Sequence, residues 1–135
     1  MTTTVKPIDD RYHDLLTNPI IMALATTLSD GTPQVTPVWF SYEDGYICFN
    51  TAAGRVKDKA IKARPYVAVT IVDPTNDYRY LAIRGPVEII DDPAVGRQHI
   101  NELNAKYRGN PVYPGPIEEQ RVKFRMAPEH VFAAG

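Results

Sequence analysis

Asp30-Gly31-Thr32-Pro33-Gln34-Val35-Thr36-Pro37-Val38-Trp39-Phe40-Ser41-Tyr42-Glu43-Asp44-Gly45 is the stretch that decides the fold. Two Asp-Gly turn signals bracket a run of β-branched, aromatic and apolar residues, the pattern of a strand with a hairpin at each end. The strand is expected over Gln34 to Tyr42. Its partners are the apolar run Ile20 to Thr27 before the first turn and Tyr46 to Thr51 after the second, giving an antiparallel meander. Both faces of the middle strand are apolar: Thr36, Val38, Phe40 and Tyr42 lie on one, Val35, Pro37 and Trp39 on the other. One face fills an interior. The other needs a cover, and a second copy of the chain supplies it most simply.

Outward from the meander, Asp9 and Asp10 precede a short helix at Arg11 to Leu16, which Asn18-Pro19 ends. Val56, Ala60, Ile61 and Ala63 fall at helical spacing within Gly54 to Arg64, and Pro65 stops that helix. Tyr66 to Val72 is a strand, and Asp73 to Asp77 is a loop. Leu81, Ile83, Val87 and Ile89 alternate along a long strand that Gly85-Pro86 interrupts, as a bulge or bend does. Asp92 caps a helix over Asp91 to Tyr107, with Pro93 in its first turn. A proline- and glycine-rich loop, Arg108 to Pro116, follows. Val122, Phe124 and Met126 alternate, and Val131-Phe132 closes the chain. The sequence is therefore read as a single domain over residues 1–135, mainly β, an antiparallel six- to seven-stranded barrel that works as a homodimer.

Composition narrows the function. The chain has 135 residues, the size of one domain, and 44% of them are apolar, which excludes disorder. A net charge of −1 gives no global field for nucleic acid or a membrane surface, so any anion site must be local. No apolar run reaches membrane-spanning length, and Met1 to Asp10 lacks a signal peptide's apolar core. Cys48 is the single cysteine, which fits a reducing compartment. The expected location is the cytoplasm.

No nucleophile elbow, zinc helix, Walker loop or dinucleotide fingerprint is present. His13, His99 and His130 are scattered and read as surface residues. Cys48, between Ile47 and Phe49, reads as a core or interface residue, so no catalytic side chain is expected. One cluster is unusual: Thr51, Gly54, Arg55, Lys57 and Lys59 crowd the start of the second helix, and Lys62 and Arg64 extend it. Cations there oppose the helix dipole by a few tenths of a kcal/mol each. A bound phosphate reverses that sign, because free N–H groups, dipole and side chains then all favour the anion. On the residues alone, a phosphate site and a solvated basic face both stand. Thr36-Pro37-Val38-Trp39 likewise reads as the wall of a flat aromatic pocket or as core, and Tyr78-Arg79-Tyr80 as part of a dimer seam or as strand surface.

Ala25-Thr26-Thr27, then Asp30 to Phe40, Phe49-Asn50-Thr51, Gly54 to Lys59 and Arg84 to Asp92 together resemble the pyridoxamine 5′-phosphate oxidase-like split-barrel flavoproteins. Within them the likeness is to the actinobacterial branch of coenzyme F420-dependent reductases, the flavin/deazaflavin oxidoreductases. The order and spacing hold over nearly the whole chain. The resemblance implies two cofactor sites at a dimer interface. Thr51, Arg55 and Lys57 would hold the phosphate, with Lys59 toward the coenzyme's longer anionic tail. Thr36, Pro37, Val38 and Trp39 would line the ring, Asn50 would stand between, and Tyr80 would come from the partner. It further implies hydride transfer to a small unsaturated or quinone-like substrate. FMN as cofactor, in an oxidase or flavin reductase, and a non-catalytic carrier are the alternatives. The extended C-terminal substrate segment of the pyridoxamine phosphate oxidases themselves is not evident.

Overall fold

A computed structural model describes residues 5–135. A 3-10 turn at Asp10–Tyr12, capped by the Asp9 carboxylate on the Arg11 N–H, runs into α1 (His13–Thr17), whose Leu15 and Leu16 are fully buried. Then come β1 (Met22–Thr27) and β2 (Pro33–Val38), paired antiparallel from Met22↔Val38 to Thr27↔Pro33. The expected strand from Gln34 to Tyr42 is in fact two. It breaks at Trp39, and β3 (Phe40–Glu43) turns away to pair with β4 (Tyr46–Ala52). Trp39 lies outside both ladders, and α3 (Pro93–Arg108) bonds the Phe40 backbone beside it. Tyr107 Oη accepts the Phe40 N–H at 3.2 Å, and Lys106 Nζ donates to the Phe40 carbonyl at 2.8 Å. Trp39 stacks on Tyr107 with centroids 5.2 Å apart.

That bend carries the chain from one edge of the sheet to the other. With α2 (Val56–Ala63), β5 (Tyr66–Asp73), β6 (Asn76–Ile90), β7 (Arg121–Met126) and β8 (His130–Ala134), the strand order is β2-β1-β5-β6-β7-β4-β3. The order thus begins and ends on consecutive pieces of one chain segment, with β2 and β3 as its two edges. This is a split β-barrel, mainly β, with three helices. Met22, Leu24, Phe40, Ile47, Phe49, Ile71, Leu81, Phe124 and Met126 fill the interior, each worth ~1.5–3 kcal/mol of burial. Cys48 is buried in β4, and Asp92 caps α3 through the Ala94 and Val95 N–H groups.

The expected interruption at Gly85-Pro86 is not a break: β6 runs unbroken and stays paired with β5 through both residues. The register shift lies between Val72 and Asp73, and what changes at Gly85-Pro86 is the partner on the other edge. Tyr80 to Arg84 pair with β8, and Val87 to Ile90 pair with β7. The chain between β7 and β8 crosses so close that a Cβ on Gly85 would overlap the Ala127 carbonyl oxygen. Gly85→Val is accordingly expected to lower stability by about 3 kcal/mol, read as a fall in the denaturation midpoint.

Candidate functional site

Four segments converge at one mouth of the barrel. The end of β2 and the bend bring Pro37, Val38 and Trp39, and the end of β4 brings Asn50 and Thr51. The turn into α2 brings Arg55 and Lys57. They line a cavity of about 350 Å³ together with Ile21, Ile100, Leu103, Tyr113 and Arg121. Its wall is apolar on the β2 and α3 sides and cationic at the α2 and β7 side.

The local sequence explains the cationic end. Gly54 takes φ +87°, a left-handed conformation open to glycine, and its N–H is accepted by the Asp58 carboxylate at 2.9 Å. Asp58 is thereby turned into the turn, with Lys62 at 3.1 Å, and does not face the pocket cations. Arg55 occupies the N-cap of α2, and no side chain caps the helix. Its first N–H groups are therefore presented as anion donors. Arg121 enters from β7, paired opposite Ala52, and is only 6% exposed. Arg121 contacts Glu119 at 2.6 Å, and Arg55 lies 3.6 Å from the same carboxylate. Arg55 and Arg121 thus share one carboxylate, and Lys57 forms no ion pair among the described residues. The Lys57 ammonium registers the imbalance: burial, then Arg55 and Arg121, push its pKa below the usual lysine value.

The loop from α3 to β7 is laced to the helix, which fixes Tyr113 and Glu119 over the pocket. Arg97 donates to the carbonyls of Pro116 and Glu119 at 3.0 and 2.7 Å, and the Tyr113 N–H donates to Asn101 Oδ1 at 2.9 Å. The Arg121 guanidinium lies over the Tyr113 ring, its carbon 5.3 Å from the ring centroid.

Of the residues singled out in the sequence, Pro37, Val38, Trp39, Asn50, Thr51, Arg55 and Lys57 come together here. Thr36 does not join them, since in the β1–β2 register it sits opposite Leu24, on the core side of the strand from Pro37. Lys59 lines a neighbouring groove between α2 and the β1–β2 turn, with Leu28, Asp30 and Arg64. Tyr80 lies on the outer face of β6 with its ring 5.9 Å from Phe132. Arg79 is engaged inside the chain, bonded to Asp14 and Asp73 at 2.6 and 3.0 Å. Arg121, Tyr113, Ile21, Ile100 and Leu103 were missed. So was His99, which is not a surface residue but 1% exposed, its pKa lowered by burial to about 4. The signal for His99 was the 3–4 spacing of Gly96, His99, Ile100, Leu103 and Asn104, all buried on one side of α3.

An antiparallel split barrel with a half-apolar pocket lined by three cations at its mouth is the fold of flavin- and deazaflavin-type oxidoreductases. The chain belongs to the pyridoxamine 5′-phosphate oxidase family, whose sequence profile matches residues 8–134. Among solved structures it is similar to an F420 reductase, at 36% identity and a TM-score of 0.82 over 93% of this chain and 98% of that one. Two others share the fold. A conserved hypothetical protein of Mycobacterium tuberculosis is 21% identical, with a TM-score of 0.77 over 96% of this chain and 86% of that one. General stress protein 26 of Bacillus anthracis is 18% identical, with a TM-score of 0.69 over 93% and 92%. No curated protein sequence matches the chain. Among the described residues, no helix is long and apolar enough to cross a membrane, and no three metal-ligating side chains gather into a site.

Proposed function

We propose that the protein is an F420-dependent oxidoreductase, transferring a hydride between the deazaflavin coenzyme and a small unsaturated or quinone-like organic molecule. The observation that carries the reading is the convergence of Arg55, Lys57 and Arg121 on one end of a pocket whose remaining wall is largely apolar. Such a site fits a flat ring that bears an anionic tail. Without an anion the cations repel one another, and Lys57 shows it. The relative named an F420 reductase, similar over nearly its whole length, favours the deazaflavin over FMN.

When bound, the coenzyme supplies the redox chemistry. The chain's own part is binding and orientation. Arg55, Lys57 and Arg121, with Thr51 beside them, hold the phosphate. Pro37, Val38 and Trp39 face the ring and, with Ile100 and Leu103, exclude water. Lys59, one groove away, meets the outer part of the anionic tail. Lone Cys48, buried and unpaired, agrees with a cytoplasmic setting.

The proposal includes a homodimer. Across β2, β1, β5, β6 and β8 the outward residues form rows in register: Pro37, Ala23, Thr70, Ala82 and Phe132, then Val35, Ala25, Ala68, Arg84 and His130. Val35 is 64% and Phe132 58% exposed. This face of small and apolar side chains, with Arg84 and His130 at one end, fits a second copy, and Pro37 belongs both to it and to the pocket. A docked copy therefore walls the pocket, with Tyr80 of the partner subunit as its contribution.

Fluorescence titration of the purified protein with F420 and with FMN tests the cofactor. Micromolar binding of F420 and none of FMN is expected. The reverse pattern makes the protein an FMN oxidase or flavin reductase. Binding without multiple turnover of reduced F420 by any added acceptor makes it a carrier. A proton is also taken up on binding under alkaline conditions, because the anion raises the lowered pKa of Lys57. Affinity therefore falls as pH rises through the free protein's Lys57 value. Calorimetry in buffers of different ionisation heat reads the uptake, and Lys57→Ala abolishes it.

A further inference from the structure

We infer that His99 is a positioning residue for the anion-binding guanidinium of Arg121, acting through the side chain of Asn50. This rests on the phosphate pocket proposed above and adds a residue that does not itself line it.

Each bond in the connection has one orientation. Arg121 Nε donates to Asn50 Oδ1 at 2.9 Å. The two amide hydrogens of Asn50 go to the Gly96 carbonyl at 3.0 Å and to His99 Nδ1 at 3.2 Å. A flipped amide would set its oxygen against the Gly96 carbonyl and its hydrogens against the Arg121 N–H, so the bonds exclude it. His99 Nδ1 is then an acceptor, and Nε2–H donates to Ser41 Oγ at 2.9 Å. Ser41 donates to Glu43 Oε2 at 2.5 Å, and Lys123 holds the other Glu43 oxygen at 2.8 Å. The imidazole is neutral, as burial requires, and its tautomer is fixed by a carboxylate two bonds away. Gly96 makes the reach possible: a Cβ there would overlap the Arg121 carbonyl oxygen, so α3 lies directly on β7.

An arginine on a strand has long rotamer freedom, and the cost of fixing it falls on ligand affinity. Here Nε is held by Asn50 and one terminal nitrogen by Glu119, so the planar head arrives already oriented at the pocket. His99 takes the second Asn50 hydrogen and stops that amide from turning. Ser41 and Glu43 do for His99 what His99 does for Asn50.

The test uses His99→Leu, His99→Asn, which keeps an acceptor near the Nδ1 position, and Ser41→Ala. The first readout is solvent exchange of the Arg121 Nε–H proton by NMR in the ligand-free protein, with Arg121→Lys for assignment. Slow exchange is expected in the parent and in His99→Asn, and fast exchange in His99→Leu, with Ser41→Ala between. The second compares F420 with its phosphate-free deazaflavin chromophore. His99→Leu is expected to weaken F420 binding roughly tenfold and leave the chromophore within about twofold. An Nε–H that stays protected in His99→Leu overturns the inference, as does an equal loss for both ligands. If His99→Leu fails to fold, unchanged exchange in Ser41→Ala overturns it instead. If the parent binds neither ligand while the exchange pattern holds, the coenzyme reading fails and the positioning role stands.

Discussion

Arg55→Ala combined with Lys57→Ala is expected to weaken binding of the phosphorylated coenzyme about a thousandfold, with the fold intact. Truncating one partner of a desolvated, hydrogen-bonded charge pair costs ~2–5 kcal/mol, and two such changes at one phosphate couple strongly, so about 4 kcal/mol for the pair is a conservative sum. Each tenfold is about 1.4 kcal/mol. Lys57 is the more valuable of the two, because it is half buried and its charge is already strained by Arg55 and Arg121. An anion relieves that strain, so the gain on binding exceeds what an exposed lysine gives. Arg55 is mostly exposed and its distance to Glu119 is 3.6 Å, so it acts at the rim.

The same substitution separates a binding role from a structural one. Lys57 forms no ion pair among the described residues, and removing it relieves repulsion on Arg121. Thermal denaturation of the double variant should therefore show an unchanged or slightly raised midpoint beside the collapse in affinity, measured by fluorescence titration. A lowered midpoint with unchanged affinity would mean that the cluster is a solvated basic face after all and that the phosphate sits elsewhere.

How far the sequence could be read follows from the range of each interaction. The hairpins at Gly31 and Gly45 and the helix at Val56–Ala63 are local, set by turn chemistry and periodicity within a few residues, and they were legible. The break at Trp39 was not. It depends on Tyr107 and Lys106, more than sixty residues on, offering a hydroxyl and an ammonium to the Phe40 backbone. In the pocket, residues contiguous in sequence, Pro37 to Trp39 and Asn50 to Lys57, announced themselves as clusters. Arg121 could not, because an arginine opening a strand is ordinary until the β4–β7 register places it opposite Ala52, next to Thr51. The buried chain from Arg121 through Asn50 and His99 to Ser41 joins four separate elements, so no single window of sequence contains it.

Ala82→Asp is expected to make the protein a monomer and to abolish coenzyme binding in the same step. Ala82 lies on the outward sheet face between Thr70 and Phe132, in the row that ends at Pro37. In an isolated chain the new carboxylate stays in water on a half-open surface, and the cost to folding is a few tenths of a kcal/mol. Under a second copy it becomes an unpaired charge at the interface centre, twice over because the contact is symmetric, at several kcal/mol each. Sedimentation or light scattering reads the monomer, and denaturation of the monomer checks that the barrel survives. Loss of affinity follows because the pocket shares Pro37 with that face and lacks its outer wall without the partner. A variant that is monomeric yet binds the coenzyme as the parent does would leave the dimer in place as an assembly but remove Tyr80 of the partner subunit from the site. A variant that stays dimeric would move the interface to another face altogether. Ile117, 89% exposed and the most exposed of the large apolar side chains, lies with Val112 on the loop over the pocket, which makes that loop the next place to put a charge.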